Sequence, residues 1–412
     1  MSEKLISVEE ARGRILAGVM PLGAEEIALP NSAGRVLAKA ITAARAQPPG
    51  AVSAMDGYAV IAADLRQTSA ELEVVGSVGA GDDPKFTLKH GAAARIFTGA
   101  LLPDGADAVI AQEDAEKLEA NRVRINETAA PGKHVRGAGS DFNVGDTVLK
   151  PGRLLDGRDI ALAAAMNAAR ISVRRAPRVA ILATGNELVP LGAPMGRHQI
   201  VASTGPALAA ALVKWGAEPI DLGIAADNEA EIAHKIAHGR NADLLVTLGG
   251  ASVGDHDLVQ KSLQMLGFEL GFWKIAMKPG KPLIFGRLDH LPVIGLPGNP
   301  VSSLICALIF IRPLIHAMLG RLTESGEPDI ELPSATGVLA QDLPANGQRL
   351  DFLRGRIERR EGAPPLIHVS ARQDSNQLSV LAQASCLVPR TPFAQISKAG
   401  APQRLIPLQG LF

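Results

Sequence analysis

Three features of the 412-residue sequence predict an α/β multidomain chain. From Pro177 to about Leu319 short apolar runs alternate with helical patterns, which calls for a central, mostly parallel sheet with helices on both faces. From about Val60 to Val148 the text is rich in Gly and short β-like runs, and helical pattern stands on either side, so a β module is inserted into a helical N-terminal platform. From about Glu331 Pro-punctuated short runs predict a small C-terminal β domain. The length exceeds the ~100–200 residues of one domain. The expected division is a discontinuous helical platform at 1–45 and 142–176, the β module at 46–141, the α/β sheet domain at 177–326 and the β domain at 327–412.

The elements follow in order. "SVEEARGRILAG" is a helix with Ser7 as cap, Glu10 completing a capping box and Gly18 as its stop. "LEVVGSVGAG", "AARIFTGA" and "RVRIN" are strands of the inserted module, and "DGRDIALAAAMNAA" returns to helix. "RVAILAT", "EPIDLGI", "ADLLVTL" and "LPVIGLPG" are strands separated by the helices "GPALAAALVKWG", "DNEAEIAHKIAHG" and "DHDLVQKSLQMLG". The helix "NPVSSLICALIFIRPLIHAML" follows the last of them, and "LDFLRGRIER", "LIHVSAR" and "QRLIPL" are strands of the final domain.

Composition excludes several classes. Lys plus Arg (42) equals Asp plus Glu (42), so no global field attracts nucleic acid or an anionic membrane, and any anion site is local. Cys306 and Cys386 stand in apolar contexts that suit neither a metal site nor a disulfide framework. "MSEKLISVEE" lacks the pattern of a signal peptide, and the apolar stretch from Leu304 meets Arg312 and Pro313 before it could span a bilayer. A cytoplasmic protein with no membrane partner is expected.

Ligands of open parallel sheets bind where strand ends run into helix N-termini. Three such ends carry acids here: Glu187 in "ILATGNELVP", Asp227 in "GIAADNEAE" and Asp257 in "LLVTLGGASVGDHD". In the last, Gly249, Gly250 and Gly254 let backbone approach a ligand and Ser252 adds a hydroxyl donor. Plainer roles exist for each: a tight turn with an Asp cap, a helix cap at Asp227, a solvated loop acid at Glu187. Together the carboxylates suit a hard cation such as Mg²⁺, which binds through a few carboxylates plus ligand phosphates. Lys274, Lys278 and Lys281 in "FWKIAMKPGKPLIF" make either a surface turn or an anion clamp, and Pro297-Gly298-Asn299-Pro300 forms a preorganised turn into a helix.

The strings "SAMDGYAV", "IFTGALLPDGADAVI", "TGNELVP", "TLGGASVGDHD", "MKPGKP" and "GLPGNPVSS", in this order, resemble the molybdopterin molybdenumtransferase family, which includes a domain of gephyrin. The resemblance covers nearly the whole chain. It implies insertion of molybdate into adenylylated molybdopterin with release of AMP, giving molybdenum cofactor. It also implies a homodimer whose cleft joins the sheet domain of one subunit to the β module of the other. Asp56 and Thr98 would reach in from the β module; Glu187, Asp227 and Asp257 would line the sheet rim, with Asp227 and Asp257 holding Mg²⁺; Pro297 and Pro300 would shape the floor. "GQRLDFLRG" and "RQDSNQLS" match segments that present an arginine and a serine to the anion, here Arg349 and Ser375. Protein partners implied are the molybdopterin adenylyltransferase and apo-molybdoenzymes or their chaperones.

The chain departs from the family pattern at Ala202 and Thr204, where an acid and an asparagine are usual, at Leu258 in place of tyrosine, and at Asn376 in place of glycine. Two other functions compete. A single-domain adenylyltransferase shares the sheet domain but lacks the flanking modules. A non-catalytic scaffold would keep the dimer and lose the acids. A tungstate-using variant is a third alternative, because the two oxyanions match in charge and nearly in size.

Overall fold

The computed structural model describes residues 5–67, 69–250 and 258–412. Asp257, Ser252 and Gly254, singled out above, lie outside the described residues. Helix α1 (Val8–Leu16) opens the chain with the Ser7 hydroxyl accepting the Glu10 N–H at 3.0 Å. The Glu10 carboxylate turns to Arg14 at 2.5 Å, so the expected reciprocal half of the capping box is replaced by an i,i+4 ion pair. The complete box belongs to α2 (Gly157–Ala165), where Asp156 and Asp159 cap each other's backbone.

The platform expected to be helical is mixed. Ala24–Ala28 pairs antiparallel with Arg170–Arg174, and Ile41–Thr42 with Thr147–Leu149, around a core of Leu37, Phe142, Leu149 and Val173. Alternation in "RISVR", too short to weigh against the flanking helical pattern, is what builds the longer ladder. Helix α1 packs elsewhere: Val8, Ala11 and Ile15 join the core of the sheet domain. Between the two halves of the platform, six strands form one sheet in the order Ala108–Ala111, Gly57–Val60, Ala92–Ile96, Ala70–Val78, Arg122–Ile125, Ala115–Lys117. Apolar clusters cover both of its faces.

The central sheet consists of β1 (Arg178–Thr184), β2 (Glu218–Ala225), β3 (Leu244–Leu248), β4 (Phe268–Trp273), and, after a two-residue strand β5 (Met277–Lys278), β6 (Ile284–Leu288) and β7 (Leu291–Leu296). Its order is β2-β1-β3-β7-β6-β4, with the first four strands mutually parallel, β6 running against them and β4, antiparallel to β6, running with them. Buried on both faces, β1 and β3 read as near-continuous apolar runs. Helices α3 (Thr204–Lys214) and α6 (Pro300–Cys306) cover one face; α4 (Glu229–His238) and α5 (Leu258–Met265) cover the other. After α6 a π-helical turn at Ala307–Ile311 leads into α7 (Arg312–Met318). Among the described residues this 300–318 rod alone is long and apolar enough to cross a membrane, and 94% of it is buried in the protein.

The final domain closes a ring of β8 (Ala335–Leu339), β9 (Leu350–Arg360), β10 (Ala363–Val369), β11 (Cys386–Arg390) and β12 (Pro402–Pro407), with α8 (Leu378–Gln383) between β10 and β11. Strand β5 leaves its own domain to pair in parallel with β9, setting Met277 against Leu350 and Lys278 against Asp351.

Candidate active site

Parallel register places the ends of β1 and β3 side by side, with Ala183 opposite Leu248. The loops leaving these ends, together with the loop after β7, enclose a cleft of about 1040 Å³. Glu187, Asp227, Gly249, Gly250, Pro297, Gly298, Asn299 and Pro300 all line it. Gly249 has φ +97°, and a Cβ there would stand 2.8 Å from the Thr184 carbonyl oxygen, so only glycine lets the two strand ends meet without strain. Gly298 in turn faces the Cα of Gly249, which seats the Pro297–Pro300 turn against the β3 end. The Ser303 hydroxyl donates to the Pro297 carbonyl and its N–H to the Asn299 carbonyl, so α6 fixes that turn from below.

Asp227 does not cap α4. Asn228 does, accepting the Ala230 and Glu231 N–H groups at 2.9 and 3.1 Å. Asp227 is instead held from the neighbouring strand end: its N–H donates to the Asn186 Oδ1 at 3.0 Å, and its Oδ2 accepts the Asn186 N–H at 3.2 Å. This clasp aligns the exposed Asp227 with the exposed Glu187 one residue beyond Asn186. Asn186 carries no charge; the signal available in the sequence was its place in "TGNELVP", between a strand-end glycine and an acid. Two exposed hard-oxygen donors in a glycine-lined cleft fit a cation that takes most of its ligands from phosphate and water. Among the described residues no three acidic, His or Cys side chains group closely enough to hold a metal by themselves.

The three lysines part company. Lys278 lines a second cleft of about 470 Å³ with Arg349, Asp351, Gln373 and the loop 343–348, because the β5–β9 pairing carries it to the ring. Its Nζ is 3.7 Å from the Asp351 carboxylate, whose burial raises its pKa against the pull of Lys278 and Arg349. Lys274, at φ +67°, sits 3.7 Å over the Trp273 ring, and Lys281 is exposed beside Pro282, which lines the larger cleft. Ser375 lines neither cleft; its carbonyl accepts the Val301 N–H at 3.2 Å, docking the ring domain onto the first turn of α6. The adjacent Asn376 and Leu378 enter the larger cleft.

Asp56 and Thr98 stand in the inserted module, just before the strand Gly57–Val60 and just after the strand Ala92–Ile96, and outside both clefts of their own chain. The Asp56 Oδ1 accepts the Thr98 N–H at 2.8 Å and its hydroxyl at 2.7 Å. The backbone bond, then the hydroxyl, then nearby Arg95 hold this carboxyl below the usual carboxylate range. Arg95 is wedged 5.2 Å from the Tyr58 ring and 5.0 Å from the Phe97 ring and donates to the Gly57 carbonyl and Gln112. The pair is thus a rigid, ionised corner.

Comparison with known proteins decides the family. Residues 6–167 match the family model "MoeA N-terminal region (domain I and II)", and residues 180–317 match "Probable molybdopterin binding domain". A molybdopterin molybdenumtransferase of a Nostoc species is 39% identical over 363 residues, 86% of this chain and 82% of that protein. The molybdopterin molybdenumtransferase of Haemophilus influenzae is 35% identical over 93% of this chain and 94% of its own. The crystal structure of a molybdopterin biosynthesis MoeA protein from Pyrococcus horikoshii superposes with a TM-score of 0.83 at 31% identity, covering 98% of this chain and 99% of that one. The chain belongs to the molybdopterin molybdenumtransferase family. It is accordingly a transferase of molybdenum cofactor biosynthesis with the multidomain α/β fold of that family.

Within this molybdenumtransferase the departures noted above share one location. Ala202, Thr204, Leu258 and Asn376 all line the 1040 Å³ cleft.

Proposed function

We propose that the chain inserts molybdate into adenylylated molybdopterin and releases AMP, using the 1040 Å³ cleft for the pterin nucleotide and the neighbouring basic cleft for the oxyanion. The observation that supports this most is the convergence of Glu187, Asp227, Gly249-Gly250 and the Pro297–Pro300 turn on one cavity. Backbone at the two glycines comes close enough to receive phosphate oxygens, and the proline-bounded turn excludes water from one side. Lys278 and Arg349 hold molybdate as a fixed pair of cations, which supplies proximity to the second substrate. Asp227, with Asp257, would hold Mg²⁺, and the ion would supply neutralisation of negative charge on the phosphate.

Asp56 and Thr98 complete the cleft of a second copy, so the working unit is a homodimer located in the cytoplasm. Ser252 and Gly254 would add donors to the phosphate site, Lys274 and Lys281 would flank the oxyanion path, and Ser375, whose carbonyl seats on the Val301 N–H, would fix the loop beside it. The substrate comes from the molybdopterin adenylyltransferase, and the product goes to apo-molybdoenzymes or their chaperones. A scaffold role has less support, because the acids of the cleft are retained and exposed to a ligand. The test is to incubate the purified protein with adenylylated molybdopterin and Mg²⁺, with and without molybdate, and measure AMP. Molybdate-dependent AMP is expected; none at any molybdate concentration rejects the proposal.

A further inference from the structure

Among the described residues the largest fully buried side chain is charged. Arg354 on β9 is 1% exposed, and among the described residues it has no carboxylate within ion-pair distance. Its Nη2 donates to the Asp374 carbonyl at 3.0 Å, while its Nε is buried without a partner. Around it the chain is wrapped tightly. The Arg354 N–H donates to the Gln373 Oε1 at 2.9 Å, and the Gln373 Nε2 returns bonds to the Arg354 and Ser370 carbonyls at 3.0 and 2.8 Å. Ladder pairing of β9 with β10 stops at Gly355 opposite Val369, and Arg354 then takes the Ser370 N–H, the Gln373 side chain and the Asp374 carbonyl of the departing loop 370–377.

A buried cation with an unpaired donor is expensive, and burial accordingly lowers the Arg354 pKa. An apolar side chain at this position would suit the ring core better. What the guanidinium does that an apolar residue cannot is reach the backbone of the departing loop. That loop joins the two clefts: Gln373 lines the basic one, Asn376 the larger one, and the Ser375 carbonyl between them is seated on the Val301 N–H.

We propose that Arg354 is a positioning residue, which fixes loop 370–377 so that the oxyanion cleft and the nucleotide cleft face each other in a set geometry. The inference rests on the reading of the two clefts given under Proposed function. Arg354→Met removes the donors at similar length, Arg354→Lys keeps a charge and an ammonium donor group without the planar fork, and Val388→Ala weakens the same ring core away from both clefts. The KM for molybdate should rise about tenfold in Arg354→Met with kcat within about twofold of the parent, and recover in part in Arg354→Lys. Val388→Ala should lose stability and keep the parental KM. Hydrogen exchange of residues 370–377 should speed up in Arg354→Met while β9 and β11 stay protected. If Arg354→Met does not fold, Arg354→Lys, which shortens the reach to the Asp374 carbonyl, should still speed exchange of residues 370–377 relative to the parent, and parental exchange there overturns the proposal. An Arg354→Met protein that is less stable but has parental KM and parental exchange in 370–377 overturns the proposal. If the parent itself releases no AMP, the reading of the clefts fails, while the exchange experiment still decides whether Arg354 holds the loop.

Discussion

His316 on α7 should make this enzyme lose stability on acidification by an amount that can be worked out in advance. The ring is 1% exposed. Its Nδ1 faces the Asp329 carbonyl at 2.8 Å, and its Nε2 accepts a long bond of 3.4 Å from Arg321. The Asp329 carboxylate stands 3.6 Å from Nδ1, but Arg312 and Arg321 also surround the ring, and Arg321 takes that carboxylate at 2.6 Å. Burial, then Arg312, then Arg321 push the His316 pKa down to about 3. The folded protein therefore keeps this ring neutral at pH 5.5, whereas an unfolded histidine titrates at about 6.5. Because the unfolded state binds more protons, stability is full above pH 6.5 and is lost as pH falls toward the folded value. From pH 7.5 to 5.5 the loss is RT ln 11 less a small remainder, about 1.4 kcal/mol, whatever the folded value below 5. Both tryptophans, Trp215 and Trp273, lie in the sheet domain with α7, so their fluorescence in urea reports this unit. The parent should lose about 1.4 kcal/mol more than His316→Gln between the two pH values. Equal losses in both proteins would refute the buried-neutral account.

Further outcomes concern the cleft. Asn186→Ala removes the acceptor of the Asp227 N–H, worth about 0.5–1.5 kcal/mol, and should weaken pterin-nucleotide binding about three- to tenfold by calorimetry with the fold intact. Ala202→Asp combined with Thr204→Asn restores polar groups at the cleft wall and should tighten the same binding; an unchanged Kd means these positions do not touch the ligand. An equimolar mixture of Asp56→Ala and Asp227→Ala proteins, each inactive alone, should regain about one quarter of parental AMP release, since half the dimers are mixed and each has one intact cleft. No recovery, or a monomer by light scattering at micromolar concentration, rules out a shared site.

Much of this layout was legible in the sequence for definite reasons. "RVAILAT" and "LLVTL" are apolar without a break because β1 and β3 are covered on both faces, and acids just past such strands fall on one rim by topology alone. Other features were not legible. Asp227 and Asn228 are both good caps, and only the backbone decides that Asn228 caps while Asp227 is clasped by Asn186. The "MKPGKP" lysines read as one clamp, but strand β5 pairs with β9 more than 70 residues later, and this long-range choice sends Lys278 alone to the basic cleft. Arg354 gave no signal, since an arginine in an alternating strand is ordinarily a solvated one.

The two clefts have opposite chemistry, and that yields a test of what each binds. The chain has no net charge, so neither substrate is drawn in by a global field. The larger cleft presents Glu187 and Asp227 to a polyanionic nucleotide, an approach that is unfavourable until a cation stands between them. The basic cleft presents Lys278 and Arg349, partly offset by Asp351, and needs no cation to take an oxyanion. Removing divalent ions with a chelator should therefore weaken nucleotide binding by at least about tenfold while leaving molybdate binding within about twofold. Replacing Asp227 with Asn should remove most of the divalent dependence of the nucleotide Kd without affecting the oxyanion. If chelation weakens both ligands equally, the acids and the lysines serve one site, and the division of labour between rim and ring is wrong.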